Sequence, residues 1–143
     1  MDFKSLTETV SVAGQLSLTD LQRAKAAGFK TVVNNRPDGE APFQPKSDTL
    51  ACRAAALDMA YHYIPVSPGQ MSEDNVRDFK SVLDAGHDGP VLAFCRTGTR
   101  SANLWAVSQA GLRAADDVIA RGKQAGYDLS QHRAALEAAF KCA

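Results

Sequence analysis

The stretch Gly89-Pro90-Val91-Leu92-Ala93-Phe94-Cys95-Arg96-Thr97-Gly98-Thr99-Arg100-Ser101 decides how the chain reads. Val91 to Phe94 form a short, unbroken apolar run behind a Gly-Pro breaker, the pattern of a central strand buried on both faces. The run ends at a cysteine in a small loop, and a helix is predicted from Ser101 to about Gly111. A cysteine placed between a buried strand and a helix start lies near the positive end of the helix dipole. Thiols at such places ionise at about pH 3.5–7.5 rather than near 8.5. Arg96 and Arg100 favour the thiolate for the same electrostatic reason. Gly98 lets the backbone turn so that several N–H groups converge on one anion. Thr97, Thr99 and Ser101 add hydroxyl donors, and Arg100 contributes a planar, permanently charged fork suited to an oxyanion. A lone cysteine at a strand end would read as buried and inert. With a glycine and two arginines in the next five residues, Cys95 reads instead as a thiolate nucleophile in an anion-binding loop.

Outward from this loop, short β-rich runs alternate with helical ones. Thr9 to Ala13 reads as a strand ending at Gly14. Ser17 or Thr19 caps a predicted helix from Asp20 to Ala27, stopped by Gly28. Lys30 to Asn35 reads as a buried strand, and Arg36-Pro37-Asp38-Gly39-Glu40 as a turn. A helix is expected from about Asp48 to Met59 and a strand from Tyr61 to Val66. A further helix runs from Ser72 to about Ala85, with Glu73 and Asp74 in its dipole-favoured first turn. Two helices follow, at 114–125 and 130–140. The alternation predicts an α/β fold, a three-layer sandwich with a mainly parallel sheet of about four or five strands. In such sheets ligands bind beyond the carboxyl ends of the strands, where the Cys95 loop sits.

At 143 residues the chain is the size of one compact domain, taken as residues 1–143. Sixteen basic residues balance sixteen acidic ones, which removes the electrostatic case for nucleic acid or an anionic membrane as partner. The N-terminal residues lack a secretory pattern, and no apolar run is long enough to span a membrane. Cys52, Cys95 and Cys142 are too few and too scattered for a disulfide framework or a zinc site. A cytoplasmic protein with no metal and no cofactor is the expectation; oligomeric state has no signature in the sequence.

The string Cys95-Arg96-Thr97-Gly98-Thr99-Arg100 is similar to the active-site loop of rhodaneses, which carry sulfane sulfur as a cysteine persulfide. It also resembles the Cys-x-x-Gly-x-x-Arg-Ser loop of protein tyrosine and dual-specificity phosphatases, with four residues rather than five between cysteine and arginine. Further segments resemble small bacterial proteins with a phosphatase-like fold, related to the β-lactamase-hydrolase-like proteins. These segments are Val12 to Ser17, Ala27 to Glu40, Tyr63 to Val66 and the Cys95 loop through Trp105. The resemblance implies a dual-specificity-phosphatase-like fold with Cys95 and Arg100 as catalytic residues.

Two features bear on the reaction. One residue fewer shortens the loop by about 3.8 Å, which suits a single sulfur better than a phosphoryl group. The phosphatases that the chain resembles supply an aspartic acid from a loop about thirty residues before the cysteine. Here Val66-Ser67-Pro68-Gly69-Gln70-Met71 has no carboxylate, and persulfide transfer needs no acid. The leading expectation is therefore a sulfurtransferase that takes sulfane sulfur from a thiosulfate- or persulfide-type donor and hands it to a thiol or cyanide acceptor. The alternatives are a cysteine-dependent phosphatase with a Cys95-phosphate intermediate and a non-catalytic anion or phosphopeptide binder. Arg96, Thr97, Gly98, Thr99, Ser101 and Arg36 are the expected anion- or substrate-binding residues, and Asp38 and Glu40 possible auxiliary acids. The turn from Arg36 to Glu40 reads equally well as a charged surface turn. Cys52 is expected as a small core residue, Trp105 in the core, and Cys142 exposed near a frayed end. His62 is expected on the solvent side or rim, and His87 in a loop.

Overall fold

The computed structural model describes residues 3–85 and 89–142. Its centre is a five-stranded sheet of order β1-β2-β5-β3-β4, built from Lys4–Ser5 (β1), Val10–Ala13 (β2), Thr31–Asn34 (β3), Ala60–Tyr63 (β4) and Val91–Phe94 (β5). β5 lies between β2 and β3 and runs parallel to both, with Val91 opposite Val10 and Thr31, and Phe94 opposite Ala13 and Asn34. β4 extends the parallel set beside β3. Two-residue β1, too short to signal itself in the sequence, pairs antiparallel with β2 at the other edge.

The central run alternates between two cores, as a pleated strand must. Val91 and Ala93 join Val10, Val12 and Val33 on one face, while Leu92 and Phe94 join Ala13 and Val32 on the other. Helices Glu73–Ala85 (α3), Thr99–Ser108 (α4), Ala115–Ala125 (α5) and Arg133–Cys142 (α6) cover the first face, which buries Phe79, Trp105, Val118 and Leu136. Helices Leu18–Ala26 (α1) and Ser47–Ala56 (α2) cover the second with Leu21, Ala24, Leu50 and Ala54. The expected three-layer α/β sandwich is what forms. No helix among the described residues is long and apolar enough to cross a membrane.

Local signals explain the element ends. Ser17 caps α1 through a reciprocal pair, accepting from Asp20 N while the Asp20 carboxylate accepts from Ser17 N. Ser72 and Asn75 make the same exchange at the start of α3. The strand expected to reach Val66 is assigned only to Tyr63, because Pro65 has no N–H to give the ladder. Ile64 N and Val66 N nevertheless still donate to Asn34 O and Asn35 O. The helix expected from Ser101 begins two residues earlier, at Thr99, with Gly98 as its N-cap at φ 89°. Arg100 thus stands in the first turn of α4 rather than in the loop before it.

Two expectations for single side chains part ways. Trp105 is fully buried, as expected. Cys52 is exposed, not a core residue. The buried side of α2 is Ser47, Leu50 and Ala54, and a residue two places after Leu50 points about 200° away from it. His62 is exposed on edge strand β4. His87 and the Cys142 side chain lie outside the described residues.

The central strand has no slack. Leu92→Ala, at a side chain with 0% exposure, should cost about 2–5 kcal/mol in urea unfolding, through lost burial and the cavity left behind.

Candidate active site

Cys95 leaves the sheet at the carboxyl end of β5, its backbone N–H bonded to Ala13 O at 3.3 Å and its side chain only 1% exposed. The chain then doubles back, and Gly98 N donates to Cys95 Sγ at 3.1 Å. This turn requires glycine. At φ +89° any Cβ on residue 98 would sit 2.1 Å from the Tyr127 hydroxyl. Tyr127, from the segment after α5, donates its hydroxyl to Thr97 O at 3.0 Å and so pins the outer side of the loop. On the inner side Gln15 N donates to Arg96 O at 3.2 Å. The loop is held from both flanks through its carbonyls, while the Gly98 N–H is directed at the sulfur. Burial and the nearby charge of Cys95 push the Tyr127 hydroxyl above its ordinary value, so it stays a neutral donor.

Arg100 is the second component. Its Nη1 and Nη2 reach the two oxygens of Glu40 at 2.7 and 2.8 Å, a bidentate fork, and Nη1 also donates to Val66 O at 2.8 Å. The Glu40 hydrogen bond and the charge of Cys95 hold Arg100 protonated. Glu40 is shared: Arg36 Nε donates to Oε1 at 3.0 Å, and Arg36 Nη1 to Gln15 Oε1 at 3.0 Å. The Arg100 hydrogen bond and, after it, Arg36 draw the Glu40 carboxyl below its ordinary value against the pull of burial.

The remaining expected residues divide by what they touch. Arg96 and Thr97 are exposed on the loop, and the Thr97 and Thr99 hydroxyls face each other at 3.0 Å. Ser101 does not offer its hydroxyl to an anion. It is fully buried and donates to Asn35 Oδ1 at 2.8 Å, tying the first turn of α4 to the end of β3. Arg36 is 5% exposed, with Nε on Glu40 and Nη1 on Gln15, so it serves the site through Glu40 rather than as a free rim cation. Asp38 is drawn away from the chemistry: its Oδ1 accepts from Ser47 N at 2.8 Å at the start of α2, and its own N–H donates to the Tyr63 hydroxyl. The five-residue turn therefore separates into one acid at the site and one that caps a helix.

Four residues at the site escaped the sequence reading: Gln15, Asn34, Asn35 and Tyr127. Asn34 and Asn35 carried a usable signal, two amides at the end of a buried strand that must find partners. Asn34 Oδ1 accepts from Arg36 N, and Asn35 Nδ2 donates to Ile64 O. Gln15 and Tyr127 had none, since both act across long separations. Beside Arg100 a cleft of about 420 Å³ opens between Gly69–Met71, Asn103 and His132.

Residues 2–112 match the family model described as "Beta-lactamase hydrolase-like protein, phosphatase-like domain". A beta-lactamase hydrolase-like protein of Agrobacterium fabrum is 37% identical over 126 residues, which are 87% of this chain and 29% of that protein. The chain thus spans under a third of the length of this curated relative. A candidate phosphatase from Neisseria meningitidis Z2491, known from its crystal structure, superposes with TM-score 0.83 at 30% identity, covering 97% of this chain and 99% of the other. Tk-PTP superposes with TM-score 0.76 at 15% identity, over 99% and 98% of the two chains, a likeness of fold.

The two acids of the turn should behave differently. Asp38→Ala should lower stability by about 0.5–2 kcal/mol in thermal melts, the loss of a helix N-terminal partner, without altering alkylation of Cys95. Glu40, held below its ordinary value of 4.5, stabilises the fold fully above that pH and loses the effect as pH falls through its folded value. The stability gap between wild type and Glu40→Gln should therefore be widest near neutrality and close in acid below about pH 4.5.

Proposed function

The chain belongs to the phosphatase-like domain family of the beta-lactamase hydrolase-like proteins, and from that premise we propose that it is a cysteine-dependent phosphatase acting on phosphate monoesters. The observation that carries this reading is the state of Arg100. Its fork already grips an oxyanion, the Glu40 carboxylate, bidentately beside a nearly buried cysteine. A phosphoryl group presents the same spacing of oxygens to the same fork.

In this reading Cys95 attacks phosphorus as a thiolate, forming an S–P bond as the ester P–O bond breaks. Loop N–H groups and Arg100 stabilise the charge that spreads over the three non-bridging oxygens. Water then attacks the Cys95-phosphate, releasing inorganic phosphate and the thiolate. Gly98 N–H, already directed at Sγ, is placed to donate to the sulfur at both ends of the cycle. The Neisseria candidate phosphatase supports the reading by its likeness along nearly the whole chain.

Sulfur transfer, the leading expectation from the sequence, finds no support in these relatives. One observation keeps it as a second reading: the Val66–Met71 segment faces Arg100 with a carbonyl and carries no acid.

Purified protein should release nitrophenolate from p-nitrophenyl phosphate, and Cys95→Ser should remove the activity. Arg100→Lys, which loses the fork, should cost on the order of 100- to 1,000-fold in kcat. Mass spectrometry of quenched protein should find one added phosphoryl group on Cys95. A sulfur adduct formed from thiosulfate, without phosphate release from any monoester, would replace this reading with the sulfurtransferase one.

A further inference from the structure

A phosphatase needs a proton for the departing oxygen; Asp128, beside Tyr127, is held by Ser130, and the turn after β3 and the start of α3 carry four further carboxylates. Glu73 and Asp74 begin α3 on the exposed surface, Asp74 paired with Arg77. Asp38 is taken up by the N-terminus of α2. Glu40 alone of the four touches Arg100. We propose that Glu40 is the proton donor to the leaving group, and that substrate binding itself arms it by taking Arg100 away. The inference rests on the phosphatase reading and names the acid which that reading lacks.

The geometry supplies a sequence of events. Glu40 occupies the fork that a phosphoryl group requires, so the substrate must displace it. Arg36, which bonds Oε1 at 3.0 Å and is itself anchored by Gln15, keeps the displaced carboxyl at the mouth of the loop. Gly39 precedes Glu40 at φ +79°, with open space where a Cβ would stand, and Asp38 holds the turn to Ser47 and Tyr63, so only the Glu40 side chain need move. The side chain of Glu40 is 19% exposed, enough to reach solvent protons.

Displacement also reverses the electrostatics. In the free protein the Arg100 hydrogen bond is the largest influence holding the Glu40 carboxyl ionised. Once the substrate holds that arginine, Glu40 loses one of its two cations and gains a phosphoryl anion as neighbour. Both changes raise its proton affinity. The groups facing it are then Arg36, the substrate and, beyond Arg100, Cys95; Gln15 is neutral, and Asp38 stays bound to α2. Glu40 takes a proton from solvent. As Cys95 forms the S–P bond, the electron pair of the breaking P–O bond goes to the leaving oxygen, which receives the Glu40 proton and departs as an alcohol. In the second half, the Glu40 carboxylate takes a proton from the attacking water. The new P–O bond forms, the S–P bond breaks, and the thiolate returns.

Leaving-group dependence tests this, because a residue that merely positions Arg100 would matter equally for every ester. Wild type, Glu40→Gln and Glu40→Asp are compared with 2,4-dinitrophenyl phosphate, whose leaving group needs no proton, and phenyl phosphate, whose leaving group does. Glu40→Gln should lose on the order of 100-fold in kcat with phenyl phosphate and under about threefold with the dinitrophenyl ester. Its kcat profile with phenyl phosphate, which reports the substrate complex in which Glu40 is armed, should also lose the basic limb. Equal losses on both esters, or none on either, would overturn the proposal. If Glu40→Gln does not fold, Glu40→Asp carries the test: it should keep the basic limb and lose more on phenyl phosphate than on the dinitrophenyl ester, and parallel losses would overturn the assignment. Failure of wild type to release dinitrophenol in a Cys95-dependent way would instead remove the phosphatase reading beneath it.

Discussion

Everything at the site depends on β5 being buried on both faces between two parallel neighbours. A strand so placed cannot shift register without turning Leu92 and Phe94 out of one core and Val91 and Ala93 out of the other. Its end is therefore fixed in three dimensions, and Cys95 is fixed with it. The flanking strands extend the ladder past the sheet proper, through Cys95 N to Ala13 O and Asn35 N to Phe94 O. A buried thiol held against the Gly98 N–H needs such a base. Hydrophobic burial provides it without spending any polar group of the loop.

The parts governed by local chemistry were legible in the sequence. The apolar run at Val91, the caps at Ser17 and Ser72, the breaker at Gly28 and the loop glycine at Gly98 each act within a few residues. The two-residue strand β1 was not legible, because too few residues carry its pattern. Cys52 went wrong for a different reason. An alanine-rich helix has little contrast between its faces, and only packing against the sheet selects Leu50 and Ala54 as the inner side.

At the site, identity was readable and partnership was not. The sequence marked Arg36, Asp38, Glu40 and Arg100 as charged groups near strand ends. It could not say which acid meets which base, since Glu40 and Arg100 are sixty residues apart. That pairing is a product of topology: β3 and β5 are neighbours, so the loops leaving their carboxyl ends converge. Ser101 shows the converse. A hydroxyl beside a nucleophile invites a chemical role, but a buried Asn35 carbonyl claims it first, and the result is a brace between strand and helix. The preference for sulfur over phosphorus rested on counting loop residues and on an empty stretch at Val66–Met71. Neither count registers the likeness along the whole chain to phosphatase-like proteins, which supports the other reading better.

Tyr127 carries a consequence for where this domain ends. The family model ends at residue 112, but the likeness to the relatives runs on past it, and the tyrosine that clamps Thr97 lies in that further stretch, with Leu129 and Leu136 filling the same core as Trp105. Lys4, at the far end of the chain, lies over the Tyr127 ring at 5.2 Å. The last thirty residues are thus a buttress for the catalytic loop rather than an appendage to it. Divergence in the C-terminal helices, far from Cys95 in sequence, would reach the Cys95 loop through a single phenol.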